Sequence, residues 1–219
     1  MSSIALSGNA SGAGVFTIAS PNSASSFTAT LPAATTTLVG TDATQTLTNK
    51  TLTSPTITGA SMSSMASSVI TSGTSVASTS GTSIDFTNIP SWAKRITVMF
   101  NAVSTSGISP VQIQLGTGAG PTYTTTGYLS YALYNGGTVS STTGLVTIGV
   151  AAVDARYGQM VISNHNGNVW VESCGHAVSG NGGAGGGGIS LAAALTAVRI
   201  TTVNGTDTFD AGSINILYE

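Results

Sequence analysis

Few side chains in this sequence can do acid–base, nucleophilic or metal chemistry. Seven carboxylates stand at Asp42, Asp85, Asp154, Glu172, Asp207, Asp210 and Glu219, beside two histidines, His165 and His176, and one cysteine, Cys174. Glycoside hydrolysis needs two carboxyl groups facing each other about 5–10 Å apart. Asp207 and Asp210 are close in sequence, but they flank Thr208-Phe209 in a turn before the last strand, and turn formation is the commoner use of such Asp residues. Cys174-Gly175-His176 sets a thiol near an imidazole. Residues two apart on a strand point the same way without forming a dyad, so Cys174 reads as a plain buried cysteine. No Gly-x-Ser-x-Gly elbow carries a nucleophile. The histidines are isolated, so a metal site would need copies of one His brought to a symmetry axis. His165, in an Asn-rich turn, reads as a solvated tip residue. These residues predict no catalytic site, no metal and no cofactor, hence no enzyme.

Two features could bind rather than react. Gly180-Asn181-Gly182-Gly183-Ala184-Gly185-Gly186-Gly187-Gly188 holds seven glycines in nine positions. No Lys-Ser/Thr follows, so it is not a phosphate loop. It reads as a flexible surface loop between two strands. Its functional reading is a receptor-contact loop centred on Gly182, Gly183, Gly185 and Gly186, although ordering flexible glycines on binding costs entropy. Tyr123, Tyr128, Tyr131 and Tyr134 fall within twelve residues. Aromatic faces with polar tips suit sugars and interfaces, and buried packing fits them equally. Trp92 reads as core or interface. Asp85, Lys94 and Arg95 read as members of ion pairs of small value.

Composition narrows the class. The chain has 219 residues, of which 5 % are charged, with a net charge of −2. Serine and threonine number 31 and 35. A hydrophobic content of 41 % sets the chain apart from disordered sequences. Five basic residues argue against nucleic-acid binding, and no apolar run is long enough for a membrane-spanning helix. The start lacks a basic n-region and an apolar core, so no secretory signal is expected there. Low charge over a large surface promotes association. Much of this surface is therefore expected to meet other copies or a larger assembly.

The charge is unevenly placed. Residues 1–68 contain only Asp42 and Lys50, and residues 69–219 contain the other ten charges and eleven of the aromatics. The Ser-rich stretch 61–68 reads as a neck. Short strands are predicted at 14–21, 26–32 and 37–41, in a segment too small to build a deep core alone. Copies wrapped around one another would share one. In the second region, strands are predicted at 82–87, 94–103, 111–115, 128–133, 145–150, 158–163, 169–177, 197–203 and 213–218, with a hairpin turn at 164–168. Ile96, Val98, Phe100 and Ala102 are assigned to one face. Leu191–Leu195 is the only helix-like stretch. The fold class expected is all-β: a short intertwined N-terminal β region, then a C-terminal antiparallel β-sandwich or jelly-roll-like head.

Residues 44–55, Thr-Gln-Thr-Leu-Thr-Asn-Lys-Thr-Leu-Thr-Ser-Pro, resemble a segment recurrent in fibre and related virion proteins of tailed bacteriophages. Leu31-Pro32 and Leu38-Val39-Gly40-Thr41 stand where that family carries similar pairs and quartets. The second region looks like the head module of the same proteins, in Ile89-Pro90-Ser91-Trp92-Ala93-Lys94-Arg95-Ile96-Thr97-Val98, in Arg199-Ile200-Thr201-Thr202, and in the ending from Phe209. The resemblance implies a virion structural protein, homotrimeric, with an N-terminal attachment or shaft part and a C-terminal globular head. Residues 1–68 would attach and intertwine, with Leu47, Thr48, Asn49, Lys50 and Leu52 at the trimer and attachment contacts, and residues 69–219 would form the head. The implied partners are further copies of itself, other virion proteins of tail, baseplate or capsid, and a host-surface glycan. A capsid decoration or head-fibre protein that binds no receptor is the other reading. A capsule depolymerase is disfavoured for want of facing carboxylates. Nearly no shaft is present, which departs from longer members of the family.

Overall fold

The computed structural model describes residues 70–219, apart from 136, 150 and 153, together with 11–15, 17, 22–26, 28, 51 and 53. The chain divides into two compact units, Met1–Ile57 and Thr58–Glu219. In the first, the described residues carry a turn and bends but no strand. The other positions of the strands predicted there, and Leu47, Thr48, Asn49, Lys50 and Leu52, lie outside the described residues.

The second unit is all-β, and none of its described residues is helical. Its strands are β1 (Thr71–Ser72), β2 (Val76–Ala77), β3 (Ser83–Phe86), β4 (Arg95–Thr105), β5 (Val111–Thr117), β6 (Thr122–Tyr123), β7 (Leu129–Tyr134), β8 (Gly137–Ser141), β9 (Leu145–Val146), β10 (Arg156–Asn166), β11 (Val169–Val178), β12 (Asn181–Ser190), β13 (Leu195–Thr202) and β14 (Phe209–Tyr218). They form two antiparallel sheets. The larger has nine strands in the order β1-β14-β4-β10-β11-β12-β7-β8, with β2 also on β14. The smaller has five, in the order β3-β13-β5-β6, with β9 also on β5.

Period-two alternation explains the core, because successive side chains on a strand point to opposite faces. Ile96, Val98, Phe100, Met160, Ile162, Ile214 and Ile216 come from the large sheet. They join Ile113, Leu115, Val198 and Ile200 of the small one in a single buried cluster. Burying each such side chain stabilises the fold by about 1.5–3 kcal/mol. A smaller cluster of Ala132, Val146, Ile148 and Val178 lies beside Tyr134 and Val139.

Ala102 does not continue the face of Ile96, Val98 and Phe100. It takes φ 55° at a bulge, where the β4–β10 register shifts, and Val103 becomes the fully buried residue instead. Leu191–Leu195 is not helical, since a bend there joins β12 to β13. The strand starting at Leu145 stops at Val146. The β10–β11 hairpin turns on Gly167-Asn168, with Gly167 at φ 55°, a conformation glycine adopts without a steric penalty.

Candidate functional site

The glycine tract is a strand, not a loop. β12 runs between β11 and β7 and pairs with both along most of its length. Glycine in a strand interior weakens it, which often signals a close backbone approach. That cause holds on the inward side. A Cβ on Gly185 would fall 2.7 Å from Cys174 Sγ and 2.7 Å from the Tyr131 carbonyl oxygen, and Gly183 and Gly187 are blocked by the carbonyls of Leu133 and Leu129. It does not hold at three outward positions. A Cβ on Gly182 or Gly186 would make only ordinary contact, and one on Gly175 of β11 would meet nothing.

The four tyrosines are dispersed by the same alternation. Tyr131 points outward beside Leu129 and Leu133, all three exposed. Tyr134 sits on the other side of β7, against the small core cluster. Tyr128 is buried and its hydroxyl accepts a hydrogen bond from the Leu115 amide at 2.8 Å. Burial pushes that hydroxyl up to about 12. Tyr123 lies on the small sheet under Arg199, whose guanidinium stands 4.1 Å from the ring centroid. Burial, followed by the charge of Asp85, pushes its hydroxyl up to about 12. Tyr131, Gly185 and Gly186 are brought together, lining a depression of about 490 Å³ with Leu133, Thr138 and Ala184.

That depression belongs to a wider surface. Leu129, Tyr131, Leu133, Val171 and Tyr157 are exposed on β7, β11 and β10. Ala184 and Gly186 lie between them in register, opposite Leu133 and Tyr131 on one side and Gly175 and Ser173 on the other. Among the described residues, the outward positions of β8, β7, β12, β11 and the paired part of β10 carry no charged side chain.

The inward face of β11 holds Glu172, Cys174 and His176, all buried. Burial pushes the Cys174 thiol up to about 12, and its sulfur donates to the Val146 carbonyl. A nucleophilic cysteine needs the opposite shift. Burial pulls His176 down to about 4, aided by the nearby Arg156 charge, and its ring stands edge-on to Phe100. Burial lifts Glu172 to about 7, against a hydrogen bond from the Ser130 hydroxyl. Arg156 is buried too, its Nε donating to the Ile148 carbonyl, and burial lowers it to about 10. Among the described residues no group of three His, Cys, Asp or Glu side chains is placed to hold a metal ion.

Asp207 ties its loop together, accepting hydrogen bonds from the Ser109 amide and from Asn204 Nδ2. Asp210 is not in the turn but inside β14, where Ser104 donates to it. Trp92 is half exposed and tilts against Tyr218. Arg95 pairs with Glu219 and Arg199 with Asp85. His165 is exposed, at the tip of the β10–β11 hairpin.

A second recess lies on the small sheet. Gln112, Gln114, Thr143, Arg199 and Thr201 line it, among others, around a volume of about 350 Å³. The sequence signal for it is Val111-Gln112-Ile113-Gln114-Leu115. Alternation sends the apolar residues to the core and both amides to the opposite face. No helix among the described residues is long and apolar enough to cross a membrane. No protein-family model, curated protein or solved structure matches this chain.

Proposed function

We propose that the chain is a virion structural protein of a tailed bacteriophage, a short homotrimeric tail or baseplate fibre. Residues 1–68 anchor it, and residues 69–219 form a β-sandwich head of jelly-roll type that meets a host-surface glycan. The observation that carries this reading is the uncharged outer face of the nine-stranded sheet, with Leu129, Tyr131, Leu133, Val171 and Tyr157 exposed on it. Contiguous exposed apolar surface of this kind marks an interaction site. Five strands at about 4.8 Å, each contributing about seven residues at 3.3 Å, span roughly 500–600 Å² before side-chain relief is counted. A stable interface takes about 800 Å² per partner, of which this face supplies roughly two thirds. Heads that meet through this face leave the small sheet outward. Several weak sugar contacts per fibre then raise avidity without a tight single site.

Size-exclusion chromatography with light scattering on the full chain tests the assembly. The expected mass is three times the 21.6 kDa of one chain. A stable monomer at micromolar concentration would overturn the proposal. Immunogold labelling of particles of the encoding phage, using antiserum to residues 70–219, separates the two virion readings: label at the tail supports the fibre, and label over the shell supports capsid decoration.

A further inference from the structure

The recess on the small sheet lies over two rows of three side chains in register, of which all but Asp85 line it. Asp85, Arg199 and Gln114 lie across β3, β13 and β5, and Ser83, Thr201 and Gln112 lie beside them. Neighbours in a row stand about 4.8 Å apart, and the rows about 6.6 Å apart along the strands. Thr125 and Thr143 contribute to the walls, as does the turn at 202–205. The volume of about 350 Å³ falls at the lower end of ligand-pocket sizes.

This face is not an ordinary solvated sheet surface. Gln112 and Gln114 are buried, at 1 % and 8 % exposure, although they point away from the core. Gln112 is locked, donating to the Thr202 carbonyl and accepting from the hydroxyls of Ser141 and Thr143. Gln114 donates to the Thr143 carbonyl at 3.0 Å, and no described residue donates to its Oε1. Arg199 uses Nε and Nη2 on Asp85 at 2.8 and 2.7 Å, and its Nη1 bonds to no described residue. An open donor and an open acceptor therefore stand side by side in one row, held before any ligand arrives. The guanidinium is propped by the Tyr123 ring, and that ring can lie against β5 because residue 116 is glycine. A Cβ there would meet the ring at 3.0 Å.

We propose that this recess is where the head takes its saccharide, a reading that rests on the glycan-binding role proposed above, and that the sugar is neutral. A vicinal diol matches the open pair. One hydroxyl accepts from Arg199 Nη1, and its neighbour donates to Gln114 Oε1. The hydroxyls of Ser83, Thr125 and Thr201 serve the rest of the ring. All lining residues but Val203 and Gly205 carry polar side chains, which disfavours an apolar ligand. The one cation is already neutralised by Asp85, which disfavours a carboxylate or phosphate. Locked amides lower the entropy lost on binding.

The test uses the full-length protein on a panel of immobilised oligosaccharides, neutral (glucose-, galactose-, mannose- and N-acetylglucosamine-terminated) and sialylated. The variants are Gln114→Ala and Arg199→Lys, with unchanged circular dichroism as the check on folding. Wild type is expected to bind neutral members, and each variant to bind them at least tenfold more weakly. Neutral-sugar binding that both variants retain overturns the site and leaves the glycan role standing. Binding confined to sialylated members overturns the sugar class. Absence of binding to every member overturns both the site and the glycan role.

Discussion

Tyr131 and Gly186 stand opposite one another across the β7–β12 pair, the tyrosine half exposed and the glycine without a side chain to cover its flank. The chain's own packing does not require glycine at 186, where the nearest atom to an added Cβ is the Glu172 carbonyl oxygen at 3.7 Å. Under the trimer proposal a neighbouring head needs that space. Gly186→Ala is expected to keep or raise the stability of the folded chain by about 0.5–1 kcal/mol. Gly186→Trp is expected to keep the fold and convert trimer to monomer. Thermal melting and light scattering read the two effects separately, and a Trp variant that remains trimeric counts against this face.

The neighbouring residue behaves in the opposite way. Gly185 faces inward, against Cys174 Sγ and the Tyr131 carbonyl. Gly185→Ala forces backbone or sulfur to move, at a cost of about 1–3 kcal/mol. For a chain of this size that is about 2–4 °C in Tm per kcal/mol. Equal tolerance at 185 and 186 would mean that the segment is a loop after all.

Among the described residues, the Tyr128 hydroxyl is the side-chain acceptor for the buried Leu115 amide. Tyr128→Phe keeps the ring and leaves the amide unpaired at that position. The expected loss is about 1–3 kcal/mol, measured as a lower denaturant midpoint with an unchanged slope. A neutral result would show that the sheet closes over the amide without the hydroxyl.

Glu172 and His176 give opposite pH dependences. Folding raises Glu172 from 4.5 to about 7, so the folded state holds its proton longer and stability falls as pH rises between those values. Folding lowers His176 from 6.5 to about 4, so the unfolded state holds the extra proton and stability rises across that window. The two slopes offset each other between about pH 4.5 and 6.5, where wild-type stability is expected to be nearly flat. Glu172→Gln should make stability climb with pH in that window, and His176→Phe should make it fall. Each slope approaches about 1.4 kcal/mol per pH unit. Urea titrations at pH 4.5, 5.5 and 6.5 measure this, and two variants with the wild-type profile would refute it.

The sequence exposed what alternation encodes. β4, β5 and the second half of β14 are legible because apolar residues recur every second position against Thr, Gln, Ser or Asn. β12 is not, because glycine carries no hydrophobic period. Its strand character comes from the main-chain bonds that β11 and β7 offer on either side, information spread over residues 129–190. The tyrosine cluster misled for a related reason. Tyr131 and Tyr134 are close in sequence, but their odd spacing on one strand sends them to opposite faces. Conversely, Asp85, Gln114 and Arg199 are far apart in sequence and adjacent in register. Only the pairing of β3, β13 and β5 reveals that row.

The scarcity of basic residues also limits where a protease can cut. Lys94, Arg95, Arg156 and Arg199 are the only trypsin sites in residues 70–219. Arg95, Arg156 and Arg199 lie in strands paired on both sides or along one flank, and the Lys94 amide is bound to the Glu219 carbonyl. A protease must draw its substrate out as a free extended segment, and paired backbone does not yield one. Overnight trypsin on the folded protein is therefore expected to leave residues 70–219 in one piece. Resistance of residues 70–219 to a protease of this specificity thus comes from four basic sites held in bonded backbone, without a disulfide.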